Sequence, residues 1–266
     1  MKKVLVLLMV AALATVSQAW TLLDNFEGYA TGDTATVTGG VWSTKVAESG
    51  TTEITASGSG KVLQINKLAG DNNWDGSDRD LTGTGAAIAV AETQTYFWQV
   101  NVHTDHETTS WTYDIMMGLA PETSNIDQTN AWQDFSVMPF INNAPDSPFI
   151  NADAPTTPWW APMSKDTWTN VWVVINNDAV DPTFALYYST GTDAPVLVTG
   201  DANWRNHAAG VDLNAIGFMA SGWDLSNYQL DNIYYAEGVD LTNPIPEPAT
   251  MILLGLGGLS LIRRKK

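Results

Sequence analysis

The stretch DNNWDGSDRD (71–80) sets oxygen-bearing side chains at alternate positions, Asp71, Asn73 and Asp75, just ahead of Gly76. That is the opening half of a calcium loop, where alternate oxygens converge on a hard cation and a glycine takes the sharp turn. An EF-hand would carry a glutamate six residues after the glycine; position 82 is Thr, and no helical periodicity flanks the stretch. Asp78 or Asp80 is the candidate for the missing carboxylate, and a solvated acidic turn is the plain alternative. HTDHE (103–107) sets two imidazoles three residues apart beside Glu107. Read as a hairpin tip, it does not supply the closed tetrahedral set that structural zinc requires.

The twelve tryptophans offer a different chemistry. Trp74, Trp159, Trp160, Trp204 and Trp223 fall in loop-like sequence beside Asp, Asn, Gly or Pro. An aromatic face stacks on the C–H face of a sugar ring while nearby amides and carboxylates take its hydroxyls. Trp159 and Trp160, inside the Pro-rich stretch 143–167, form the strongest pair. The alternative is that each ring pins its own loop to the fold. Trp98, Trp111, Trp168 and Trp172 sit on alternating patterns and read as core. No Gly-x-Ser-x-Gly elbow or phosphate loop occurs, and Glu92, Glu107 and Glu237 are isolated, so no catalytic residue is assigned.

Strands must carry these residues. In TYFWQVNV (95–102) the residues Tyr96, Trp98, Val100 and Val102 share one face, and in WTYDIMMGL (111–119) Trp111, Tyr113, Ile115, Met117 and Leu119 do the same. Period two over such lengths predicts half-buried strands, and the polar link between them has the length of a hairpin. Similar runs occur at 21–29, 52–57, 61–68, 132–142, 170–177, 183–190, 195–200, 214–221 and 228–238, separated by Gly, Asp, Asn and Pro clusters. No segment has a 3.6 period and no repeat is apparent. The pattern predicts an all-β antiparallel β-sandwich over 20–242, with 143–167 as its longest irregular stretch.

The ends read differently. MKKVLVLLMVAALATVSQA joins two lysines to an apolar run and ends on small residues, which predicts a signal peptide cleaved before Trp20. The chain closes with a Pro cluster, 14 uncharged residues from Ala249 to Ile262 and four cations. A spanning helix needs about 20 residues, so 249–262 is a short transmembrane helix whose terminal cations snorkel and stay cytoplasmic. Between the ends, residues 20–245 hold six Lys and Arg against 28 Asp and Glu, a net of −22. Such a surface repels nucleic acid and anionic lipid and attracts cations. There is no cysteine, so packing alone, or packing with a metal, must hold the exported domain.

Two resemblances follow. DNFEGYATGD, WTNVWVVIN followed by TFALYYSTG, and YQLDNIYYAEG look like the concanavalin A-like lectin/glucanase (laminin G-like) jelly roll. That resemblance implies a structural calcium shared between an acidic residue near the first strand and one on the last, here Glu27 and Asp231. The chain departs from laminarinase-type relatives, which carry a Glu-x-Asp-x-x-Glu strand whose two carboxylates perform glycoside hydrolysis. It also offers little of the Arg, His and Tyr set of alginate-lyase relatives, with WRNH (204–207) the nearest approach.

The tail resembles the PEP-CTERM sorting signal: Pro246, Glu247 and Pro248, then the apolar run, then Arg263, Arg264, Lys265 and Lys266. This implies transient anchoring in the inner membrane of a Gram-negative bacterium and processing by an exosortase-type protease. The destination would be the cell envelope or extracellular matrix. The functional expectation is an exported β-sandwich that binds or organises extracellular polysaccharide without catalysis. A ligand-free structural surface protein and a polysaccharide hydrolase or lyase are the alternatives.

Overall fold

The computed structural model describes residues 19–46, 50–58, 60–68, 73–105, 115–129, 131–144, 147–152, 160–206, 208–221 and 225–245. The strands in chain order are β1 (Thr21–Asp24), β2 (Gly32–Asp33), β3 (Thr51–Ser57), β4 (Gly60–Lys67), β5 (Asp75–Asp80), β6 (Thr93–Val102) and β7 (Ile115–Ala120). They continue with β8 (Pro139–Ala144), β9 (Ser147–Ala152), β10 (Trp160–Pro162), β11 (Thr169–Asn176), β12 (Thr183–Thr190), β13 (Val196–Asn203), β14 (Ala215–Ala220) and β15 (Ser226–Glu237). One helical turn, α1 (Thr34–Val37), is capped by Asp33, whose carboxylate accepts from Thr36 N–H.

Two antiparallel sheets form a sandwich. The larger runs β13-β12-β11-β6-β15-β4-β3-β2, with β1 also pairing with β15; the smaller runs β10-β9-β8-β7-β14-β5. The core lies between them. Tyr96, Trp98, Val100 and Val102 of β6 point inward, as the alternation predicts, and meet Ile115, Met117 and Leu119 of β7. The Trp98 indole N–H donates to Met117 Sδ at 3.3 Å across the gap.

Strands β7 and β14 are buried on both faces. Their outward residues Met116, Ala120, Ala215 and Met219 join Trp74, Ile126, Phe135 and Phe140 in a second cluster. This is why IMMGLA and AIGFMA are continuous apolar runs rather than alternating ones. Gly118 and Gly217 stand opposite each other in register. A Cβ on Gly118 would lie 2.0 Å from Val137 O, so glycine is what lets the covering segment close onto the sheet.

The structure corrects several expectations. The runs at 95–102 and 111–119 do not form a hairpin: β6 pairs with β11 and β15, whereas β7 pairs with β14 and β8 in the other sheet. Alternation reports which residues face inward, not which strand lies alongside. Residues 75–80, expected as a loop, form β5 along the edge of the smaller sheet, paired with β14. The stretch 143–167, expected to be irregular, contributes β9 and β10.

Trp172, expected in the core, is buried on the opposite face of the larger sheet. Its ring meets Phe97 edge to face at 5.0 Å, and Phe97 also contacts Trp20 and Tyr234. The indole N–H groups of Trp20 and Trp172 donate to Thr242 Oγ1 and Thr242 O at 3.0 and 3.1 Å. Both ends of the domain are therefore fastened together on this outer face.

Candidate glycan-binding face

The outer face of the smaller sheet carries an exposed aromatic group over buried amides. Phe140 stands opposite Asn151, Asn142 opposite Phe149, and Trp160 opposite Asn151. Directly opposed residues of antiparallel strands share a face. Ile141 and Ile150 turn into the core, so Phe140, Asn142, Phe149, Asn151 and Trp160 line the other side. Trp160 is 49 % exposed, and its ring meets Phe149 edge to face with centroids 5.7 Å apart. Beneath it, Asn142 Oδ1 and both side-chain polar atoms of Asn151 are buried without a hydrogen-bond partner. Each such group left unpaired costs about 1–3 kcal/mol, so this face carries polar capacity that the protein itself does not use.

The arrangement comes from a tetrapeptide that occurs twice, Pro139–Phe140–Ile141–Asn142 and Pro148–Phe149–Ile150–Asn151. Antiparallel pairing of the two copies places each Phe against the other copy's Asn. The reading from sequence singled out Trp160 but missed both asparagines. The doubled PFIN was the available signal, too short to register as a repeat.

The other singled-out tryptophans scatter. Trp74 is 5 % exposed, its ring in the second apolar cluster, and its backbone N–H donates to Gln128 O at 2.7 Å. Trp204 is half-buried against the main core. Trp159 and Trp223 lie outside the described residues.

The acidic residues separate into two groups. Asp71 lies outside the described residues, and Asn73 immediately precedes Trp74 ahead of β5. Asp75 Oδ2 is 3.0 Å from Lys67 Nζ with both side chains fully buried. Asp78 Oδ2 is 3.2 Å from Lys45 Nζ, and its Oδ1 accepts from Ser43 Oγ. Burial pushes the Asp78 carboxyl up, while Ser43 and Lys45 pull it back. Each of these carboxylates thus already faces an ammonium group. Among the described residues no three His, Asp or Glu side chains stand close enough together to hold a metal ion.

Glu27 and Asp231 lie within electrostatic reach of each other. Asp231 sits where β15 bulges, ahead of Asn232 with φ of 52°, and accepts from Asn232 N and Nδ2 at 2.7 and 3.0 Å. Glu27 Oε1 accepts from Lys61 N at 2.8 Å. Burial, reinforced by the charges of Glu27 and Asp24, pushes the Asp231 carboxyl up to about 7. Asp24 belongs to a different network, since its carboxylate accepts from Phe26 N, Tyr29 Oη, Trp42 Nε1 and Arg79.

Pro246, Glu247, Pro248, Arg263 and Arg264, with the apolar segment 249–262, lie outside the described residues. Among the described residues no helix is long and apolar enough to cross a membrane. Residues 244–266 match the family model of the PEP-CTERM protein-sorting motif. That motif marks export, transit of the inner membrane in Gram-negative bacteria and processing by an exosortase. No curated protein matches the chain.

Among solved structures the chain is similar to lectin II from Ulex europaeus, at 13 % identity over 75 % of this chain and 93 % of that one, TM-score 0.46. It is similar to the cellulose induced protein Cip1, at 11 % identity over 80 % and 95 %, TM-score 0.48. A third is the GH131 β-glucanase catalytic domain from Podospora anserina, at 15 % identity over 69 % and 75 %, TM-score 0.46. The first of these is a lectin and the third a glucanase catalytic domain.

Proposed function

We propose that this exported chain binds extracellular polysaccharide through the outer face of its smaller sheet and does not cleave it. The observation that carries the reading is Trp160: a half-exposed indole on an edge strand, braced by Phe149 and backed by the unpartnered Asn142 Oδ1 and the unpartnered carboxamide of Asn151. A sugar ring stacks on such a surface, and its hydroxyls can both donate to and accept from a carboxamide. Among its described residues this face brings no carboxylate, which favours recognition over acid–base chemistry. The strongly acidic surface disfavours anionic polymers, leaving neutral glycans as the class.

Trp160→Ala should weaken retention of the detergent-solubilised full chain on neutral polysaccharide by about tenfold, the equivalent of one lost stacking contact. The melting temperature should hold, because the ring is half in water. Wild-type retention by this variant across a panel of neutral glycans would remove the face from consideration.

Calcium is proposed at Glu27 and Asp231. A half-buried carboxylate raised to about 7 by burial and a neighbouring carboxylate fits a site completed by a cation. Asp24 does not join them, because its oxygens are taken by four donors. The ion would tie the turn after β1 to the β15 bulge.

The sign of the pH effect follows from the same group. An acid whose pKa is higher folded than unfolded stabilises the fold at low pH and loses that contribution as pH rises through its folded value. In chelator, the melting temperature should therefore rise from about pH 8 to about pH 5. Asp134, pushed up to about 6 by burial, adds to the same slope over the lower part of that range. Asp231→Asn should reduce the slope to the Asp134 part. Added calcium should stabilise wild type at about pH 8 and leave Asp231→Asn unmoved. Equal calcium shifts in the two proteins would place the ion elsewhere.

A further inference from the structure

At the end of the sandwich where β6 begins, a cleft of about 680 Å³ opens between the sheets, a volume typical of small-ligand sites. Its floor is the start of β6 and the end of β15; its walls are the connections 81–92 and 208–214. Gln94 occupies the inward-facing position of β6 next to this opening, two residues before buried Tyr96, and Glu237 stands directly opposite it on β15. Gln94 is 4 % exposed; its Nε2 donates to Gly85 O at 3.3 Å, and its Oε1 has no donor.

The cleft is also lined by Glu92, Asp212 and Glu237. Two of them are held by backbone amides: Asp212 Oδ1 accepts from Val90 N at 2.9 Å, and Glu92 Oε2 accepts from Ala89 N at 3.0 Å. In each case the second carboxylate oxygen remains available. Among the described residues no lysine or arginine lines the cleft. A partner must therefore bring hydrogen-bond donors and positive charge together. A bare metal ion does not suit, since no three carboxylates converge among the described residues.

We propose that this cleft binds an amine-bearing sugar unit, its ammonium group beside Glu237 and a hydroxyl donating to Gln94 Oε1. The proposal rests on the reading of the chain as a glycan binder and adds a second site, for a different sugar class, away from Trp160.

The test is calorimetric titration of the full chain in detergent with a glucosamine trimer and with its N-acetylated counterpart. Acetylation removes the charge, so the acetylated trimer should bind at least about tenfold more weakly. Glu237→Gln and Gln94→Met should each weaken the glucosamine trimer by about tenfold. Glu237 is exposed, so its variant keeps the fold even if Gln94→Met does not. Asp193→Asn makes the same change in net charge in the β12–β13 turn at the other end of the sandwich and should leave trimer binding unchanged.

Absence of binding, equal affinity for the acetylated trimer, or an Asp193→Asn loss as large as that of Glu237→Gln would overturn the proposal. If the trimer result fails while retention on neutral polysaccharide still depends on Trp160, only this cleft is lost. If Trp160→Ala has no effect and the trimer binds as described, the face on the smaller sheet is lost instead.

Discussion

Lys67→Met should destabilise the fold by about 3–5 kcal/mol, read as a shift of the urea midpoint at unchanged slope. Lys67 belongs to β4 of the larger sheet and Asp75 to β5 of the smaller, and their charged atoms meet at 3.0 Å with neither side chain reaching water. Removing the ammonium strands a carboxylate between the sheets, and that desolvated charge, rather than the lost attraction, dominates the penalty. The double variant Lys67→Met/Asp75→Leu should recover most of the loss, since an apolar pair of similar volume replaces a buried ion pair at little net change. Gly50 limits the recovery: a Cβ there would lie 2.1 Å from Asp75 Oδ2, so a branched leucine meets a tightly closed wall. A single variant as stable as wild type would mean that water reaches the pair.

This ion pair also explains why β5 was illegible. DGSDRD contains no β-branched or aromatic residue, so propensity and alternation both point to a loop. It becomes a strand because β14 supplies a full ladder and because Lys67 and Lys45 neutralise its buried carboxylates. Those partners are distant in sequence, and no local rule registers them. The large-sheet strand β12 was legible for the opposite reason: Phe184 and Leu186 enter the core while Thr183, Ala185 and Tyr187 stay partly exposed, so period two survives in its residues. In β7 and β14 both faces are covered, and the period disappears into continuous apolar sequence.

The same contrast governs the site. Trp160 was visible as an aromatic residue in polar surroundings. Asn142 and Asn151 became meaningful only once the two PFIN copies paired, because which face an asparagine occupies depends on register. Gln94 is subtler still: its strand reads correctly, but that its position falls at the open end of the sandwich is a fact of topology.

Asp24 should prove the least replaceable acid in the domain. Its Oδ1 accepts from Phe26 N at 2.9 Å, and its Oδ2 accepts from Tyr29 Oη, Trp42 Nε1 and Arg79 at 2.9, 2.9 and 3.1 Å. Trp42 is fully buried, and the Arg79 guanidinium lies 5.7 Å from its ring centroid. An asparagine in place of the acid would keep the volume, yet either orientation of its amide turns an N–H toward a donor. Asp24→Asn is therefore expected to lose about 3 kcal/mol, and Asp24→Ala somewhat more, since alanine also leaves a cavity.

A second readout separates this account from simple loss of packing. Burial, the Asp24 charge and the hydrogen bond to it push the Tyr29 phenol up to about 12. A phenol raised in this way stabilises the fold below its unfolded value and gives up that contribution as pH climbs through the folded one. Ultraviolet titration of folded Asp24→Asn should show one tyrosine moving down toward about 10, and alkaline unfolding should begin at lower pH. A destabilised variant whose tyrosine titration matches wild type would show that Asp24 acts through shape alone.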